Sequence, residues 1–106
     1  MKRIQRKRTK GWKMPENTVY VGRPSKWGNP FLVSEFGAEE AAEMYMECIL
    51  NNAMVYTYVD EIMASILFDR FKWMSENLSL LKGKDLACFC SLSSPCHADV
   101  LLGLAA

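Results

Sequence analysis

The chain has 106 residues, half of them hydrophobic and 24% charged, with a formal net charge of +1. These values suit one globular domain with a modest core and exclude a disordered polyelectrolyte. No apolar run approaches the ~20 residues that cross a bilayer, and the basic start lacks the apolar stretch of a secretory signal, so the expected compartment is the reducing cytoplasm.

Residues 1–13 carry Lys2, Arg3, Arg6, Lys7, Arg8, Lys10 and Lys13 and no acid. The remaining six bases face twelve acids, so a segment of +7 precedes a body of −6. Residues 3–8 read as a charged edge strand or as a free basic arm, dividing the chain into an arm or strand over 1–13 and one α/β domain over 14–106. Gly11 to Asn17 is a loop, and Thr18 to Gly22 has the β-branched and aromatic content of a buried strand. It runs into Arg23-Pro24-Ser25-Lys26-Trp27-Gly28-Asn29-Pro30-Phe31, an irregular loop fixed by two prolines and a glycine.

A helix follows over Ala38 to Leu50, with Ala42, Tyr45, Met46 and Ile49 as its apolar stripe opposite Glu39, Glu40, Glu43 and Glu47. Thr57 or Asn52 is expected to cap a second helix in which Val59, Ile62, Met63, Ile66, Leu67, Arg70 and Met74 recur near period 3.6. The methionines of these stripes read as core filler. After Gly83, Leu86 to Cys90 is a short apolar strand with no polar face, as expected of a strand covered on both sides. Ser94 as N-cap and Pro95 at the first helical position start a final helix that buries Val100, Leu101 and Leu104 and puts Cys96 at its second position. The order implies an α/β fold: a small Rossmann-like sheet of two or more parallel strands, an edge strand beside them, and about three helices.

Chemistry is concentrated in two places. Three of the four cysteines and the only histidine lie within Cys88-Phe89-Cys90-Ser91-Leu92-Ser93-Ser94-Pro95-Cys96-His97. Cys96 and His97 are the candidate catalytic pair, a thiol at a helix start beside a potential acid, base or ligand. Asp99, two positions further, joins the ligand-binding set but does not complete a triad, because side chains two apart diverge on a helix. Zinc held by Cys88, Cys90, Cys96 and His97 is a second reading. Its spacing lacks paired Cys-x-x-Cys units, and adjacent ligands at 96 and 97 are expected to strain a tetrahedral site. A zinc deaminase is rejected, since Asp99 replaces the second cysteine of that motif and no histidine lies upstream. Cys88 itself reads rather as a buried inert thiol.

In the other place, Arg23 and Lys26 suit phosphate, Ser25 and Asn29 suit sugar or base, Trp27 offers a stacking face, and Gly28 admits a ligand close to the backbone. The plainer alternative has Trp27 and Phe31 plugging the core and Arg23 paired with a helix glutamate. If the two strands are parallel neighbours, 23–31 and 90–97 share one edge of the sheet and line one pocket.

With both motifs in view, the chain resembles a small family catalogued only as a domain of unknown function, found in bacteria, phages and some eukaryotes. The resemblance rests on Val21 to Phe31, on Leu81-Lys82-Gly83-Lys84-Asp85-Leu86-Ala87-Cys88-Phe89-Cys90 and on Pro95-Cys96-His97-Ala98-Asp99-Val100-Leu101. Its opening, Arg3 to Trp12, looks like the version carried by phage and bacterial members, which implies a host cytoplasm for a phage-encoded chain. Phe89 stands where Trp is expected and Ala98 where Gly is frequent. The family implies one domain and a site location, not a reaction. The expected function is binding of a phosphorylated nucleotide-like molecule between the two motifs, with or without turnover; no cofactor is required. The alternative is a nucleic-acid accessory protein using the basic arm, stabilised by zinc. No membrane partner is expected.

Overall fold

A strand without a polar face needs cover on both sides, and the chain provides it by putting Asp85–Cys88 at the centre of a three-stranded sheet. The computed structural model describes residues 1–106. Strand β1 (Arg3–Gln5) and strand β2 (Thr18–Tyr20) flank β3 (Asp85–Cys88) in the order β1-β3-β2, and both pair with it in parallel. Ile4 lies opposite Ala87 on one side, and Tyr20 lies opposite Ala87 on the other. Leu86, Ala87 and Cys88 are buried, whereas the three residues of β2 are only half-buried, because β2 is an edge strand and not the interior strand its composition suggests. The basic N-terminal residues supply the other edge, where their charge discourages pairing with a further chain.

Five helices follow the sheet's first two strands or its last: α1 (Val33–Phe36), α2 (Ala38–Leu50), α3 (Val55–Tyr58), α4 (Glu61–Glu76) and α5 (His97–Ala105), with 3-10 turns at Asn52–Met54 and Leu78–Leu81. The expected count of about three was low because α1 and α3 are single turns too short to leave a periodic signal. Helix α2 has the expected bounds, but its buried stripe is Ala41, Met44, Tyr45, Cys48 and Ile49. The expected stripe was turned by one position toward solvent, leaving Met46 exposed.

Helix α4 departs further. Neither Thr57 nor Asn52 caps it: Thr57 lies inside α3, and Asn52 donates back to the Cys48 carbonyl (2.9 Å). Asp60 is the cap, its carboxylate accepting from the Met63 N–H at 2.9 Å. The helix packs through Ala64, Leu67, Phe71 and Met74, while Ile62 and Ile66 are 79% and 60% exposed. Small Ala64 lets α4 approach closely, and Arg70 is drawn off the apolar stripe by carbonyls described below. Among the methionines, Met44 and Met74 fill the core, but Met46 and Met63 face solvent.

The last helix begins at His97, not at Pro95. Ser94 is engaged in a turn, its N–H on the Ser91 carbonyl at 3.0 Å. Cys96 is the extended N-cap residue (φ −150°, ψ 150°), without a side-chain cap bond. Ala98, Leu101 and Ala105 are its fully covered positions; Val100 and Leu104 are half-buried. Helix α5 packs on β1, β3 and α2, and α2 in turn packs on α4. No helix is long and apolar enough to cross a membrane.

Candidate functional site

Parallel pairing of β2 with β3 sends both following loops off the same edge of the sheet. Between them lies a cavity of about 230 Å³. Tyr20, Gly22 and Arg23 line one side, Cys88, Phe89, Cys90, Cys96 and His97 another, and Ala38, Ala41 and Ala42 of α2 close the third.

The 23–31 loop is held from behind. Arg70 of α4 donates to the Ser25 and Gly28 carbonyls at 3.1 and 3.0 Å. Asn29 donates to the Ala41 carbonyl and accepts from the Phe31 N–H, both at 2.9 Å. The Tyr45 hydroxyl donates to the Trp27 carbonyl at 2.6 Å, and burial pushes that phenol's ionisation far above its ordinary range. Gly28 is required by close approach: a Cβ there would stand 2.8 Å from Arg23 Cγ and 3.1 Å from its Cα. Arg70 and Tyr45 are thus the site residues that sequence reasoning missed. A lone arginine inside an apolar stripe was the available signal.

Most of the loop's expected ligand contacts go elsewhere. Trp27 is 6% exposed and packs on Trp73, with ring centroids 4.9 Å apart, so its face is not offered to a ligand. Lys26 lies over the Trp73 ring, 5.0 Å from its centroid. Ser25, Lys26, Trp27 and Gly28 are outside the cavity wall; Arg23 and Asn29 are on it. Arg23 makes no salt bridge, with a helix glutamate or any other acid.

The second motif converges more tightly. The Sγ atoms of Cys88, Cys90 and Cys96 lie within 4.8 Å of one another, a group that could hold a metal ion. All four cysteines are free thiols, and Cys88 and Cys96 approach to 3.2 Å. The neighbouring Cys88 and Cys96 thiols hold Cys90 below the ordinary thiol range, Cys90 in turn pushes Cys88 up, and Cys88 and Cys90 together push Cys96 up. His97 Nε2 is 2.7 Å from the Val21 carbonyl, and its Nδ1 is 3.5 Å from Cys96 Sγ. Burial holds His97 below its ordinary value, keeping the ring neutral. Cys96 and His97 therefore stand side by side on the cavity wall, whereas Asp99 points away to an ion pair with Arg3 at 3.0 Å.

The basic N-terminus reaches the cavity's mouth. Arg6 sits over the Tyr20 ring (4.6 Å) and Arg8 over the Phe89 ring (4.2 Å), and both rings line the cavity. Arg3, its side chain 7% exposed, also donates to the Ser91 carbonyl at 2.9 Å. The arginines of this segment lie on the body, and none pairs with the glutamates of α2.

No curated protein and no solved structure matches the chain. A family model described as a domain of unknown function (DUF4326) matches residues 4–106, which takes in all but the first residue of β1, both motif loops and the final helix. The chain belongs to that family.

Proposed function

We propose that the cavity binds the phosphorylated end of a nucleotide-like small molecule. Arg23 carries this reading: a guanidinium on the wall of a cavity, with no acidic partner of its own, is a ready bidentate donor for phosphate. Arg6 and Arg8 add positive charge at the mouth, over the aromatic rings of Tyr20 and Phe89. At about 230 Å³ the cavity is smaller than the ~300–1,000 Å³ that encloses a drug-sized ligand. It fits a phosphate or sugar phosphate, with a base left outside against the rim. Ligand loops at the carboxyl ends of parallel strands are also what supports a Rossmann-like description of this small sheet. Cys96 and His97 lie on the wall of the same cavity. Four free thiols suit a reducing cytoplasm, a host's if the chain is phage-encoded.

Calorimetry with AMP, ribose 5-phosphate and ADP-ribose is expected to show binding, and the unphosphorylated nucleosides are expected to show none. Arg23→Ala should weaken the phosphate ligands tenfold or more, as loss of a charged hydrogen bond of about 1.5–3 kcal/mol requires. Chromatography of the recovered ligand distinguishes holding from turnover. Absence of binding by every phosphate compound, or an unaffected Arg23→Ala variant, overturns the proposal. Tight, steeply salt-dependent binding of an oligonucleotide that ignores Arg23→Ala would instead favour the nucleic-acid accessory reading. The inward engagement of Arg3, Arg6 and Arg8 speaks against that alternative.

A further inference from the structure

We infer that Cys88, Cys90, Cys96 and His97 form a closed four-coordinate zinc centre, with His97 bound through Nδ1. Three observations carry this independently of what the cavity binds. The first is convergence: the thiols come from the end of β3, the loop after it and the N-cap of α5, yet their sulfurs lie within 4.8 Å of one another. Tetrahedral zinc with Zn–S bonds of about 2.3 Å places its sulfurs about 3.8 Å apart, a spacing this cluster reaches by small side-chain adjustments.

The second is the histidine's tautomer. A carbonyl only accepts, so the 2.7 Å contact with the Val21 carbonyl requires the ring proton on Nε2. The lone pair is then on Nδ1, the atom 3.5 Å from Cys96 Sγ. Metal-bound histidines characteristically donate their second ring N–H to a carbonyl or carboxylate in this way.

The third removes the objection from sequence spacing. Adjacent ligands strain a site when their side chains diverge, but Cys96 is extended and His97 is the first helical residue, so the two side chains meet. A sulfur and a nitrogen on one tetrahedral zinc are about 3.6 Å apart, against 3.5 Å between Cys96 Sγ and His97 Nδ1; His97 stands just outside the group of three sulfurs and completes the site by moving toward the other two.

Four protein ligands leave no open position, which makes the centre structural. It would tie β3, the 91–95 loop and α5 into one cavity wall. Through His97 and the Val21 carbonyl it would also fix the point where the chain leaves β2 for the 23–31 loop.

Elemental analysis of protein purified without chelators is expected to give one zinc per chain. Titration with an organomercurial should release that zinc as Cys88, Cys90 and Cys96 react; Cys48 on α2 is no part of the cluster. Cobalt substitution should give the thiolate charge-transfer and ligand-field bands of a tetrahedral site. Because His97 is the only histidine, its imidazole nitrogen resonances report on the fourth ligand without variants. On adding zinc to stripped protein, Nδ1 should shift strongly while Nε2 keeps its proton. An Nδ1 signal indifferent to zinc overturns the four-ligand centre. So does native protein that carries no zinc, takes up none when it is supplied, and shows Cys96 alkylated as a lone reactive thiol. These measurements need no phosphate ligand, so they fail or succeed separately from the binding experiments above.

Discussion

At the scale of single residues, several polar groups act by holding backbone in place. Arg70 is not among the residues lining the cavity, yet its guanidinium ties together the Ser25 carbonyl, which also accepts from the Gly28 N–H, and the Gly28 carbonyl, which has no other partner. Asn29 does the same between the loop and α2. Tyr58 is a peripheral case with a measurable signature. Its hydroxyl donates to Glu47, and that bond, with smaller contributions from burial and the carboxylate's charge, pushes the phenol up to about 12 from an ordinary value of 10.0. A raised folded-state value means that the folded protein holds the proton longer than the unfolded chain. The associated stability is therefore fully present below pH 10 and is lost as the pH rises toward 12. Tyrosinate absorbance on alkaline titration should show a late-ionising component, and Glu47→Gln should bring it down.

Helix boundaries carry the clearest lessons at the next scale. Asp60 satisfies the Met63 N–H at the start of α4, so Asp60→Ala should cost about 1 kcal/mol in denaturant unfolding. Ser94→Ala should change stability by less than about 0.5 kcal/mol, the ordinary range for a substitution away from any cap or core. The serine-proline pair reads as a helix start because those residue types favour one. Here the start is displaced to His97, since Cys96 is held extended with its thiol among the other two. Equal costs for the two substitutions would show that α5 does begin at Pro95. Period 3.6 located α2 to the residue, but it missed the rotation of its buried face by one position and misassigned Ile62 and Ile66 of α4. Periodicity registers which positions are apolar. Which of several apolar faces is covered depends on the neighbouring element, and α4 has more apolar surface than the core can take.

Across the whole molecule, the basic N-terminus belongs to the fold. It forms one edge of the sheet, links β1 to α5 through Arg3 and Asp99, and spreads Arg6 and Arg8 over the rings at the cavity's mouth. Removing residues 1–8 would leave β3 without a partner on that side and uncover Phe89. The truncated chain should unfold at markedly lower temperature than the full chain. Arg3→Ala alone should cost about 2 kcal/mol, chiefly from its bond to the Ser91 carbonyl. A free arm would predict an unchanged melting temperature for both.

The amino-acid sequence by itself determined the class of fold, the parallel neighbours β2 and β3, the position of α2 and the meeting of the two motif loops at one sheet edge. Those follow from local rules: β-branched runs, a 3.6-residue period, and the fact that parallel strands deliver their loops to one side. Only the tertiary structure decided which groups face the cavity. Trp27, Lys26 and Ser25 have the chemistry of ligand contacts, but the Arg70 guanidinium and the Trp73 ring of α4 claim that side of the loop, and Arg23 is left free. Likewise Cys-x-Cys and Cys-His look ill-spaced for one metal along the chain. In the fold three sulfurs converge, and an extended Cys96 brings the Nδ1 of a histidine anchored on Val21 to 3.5 Å from one of them. Ligand geometry is set by where side chains end, and sequence spacing records only where they start.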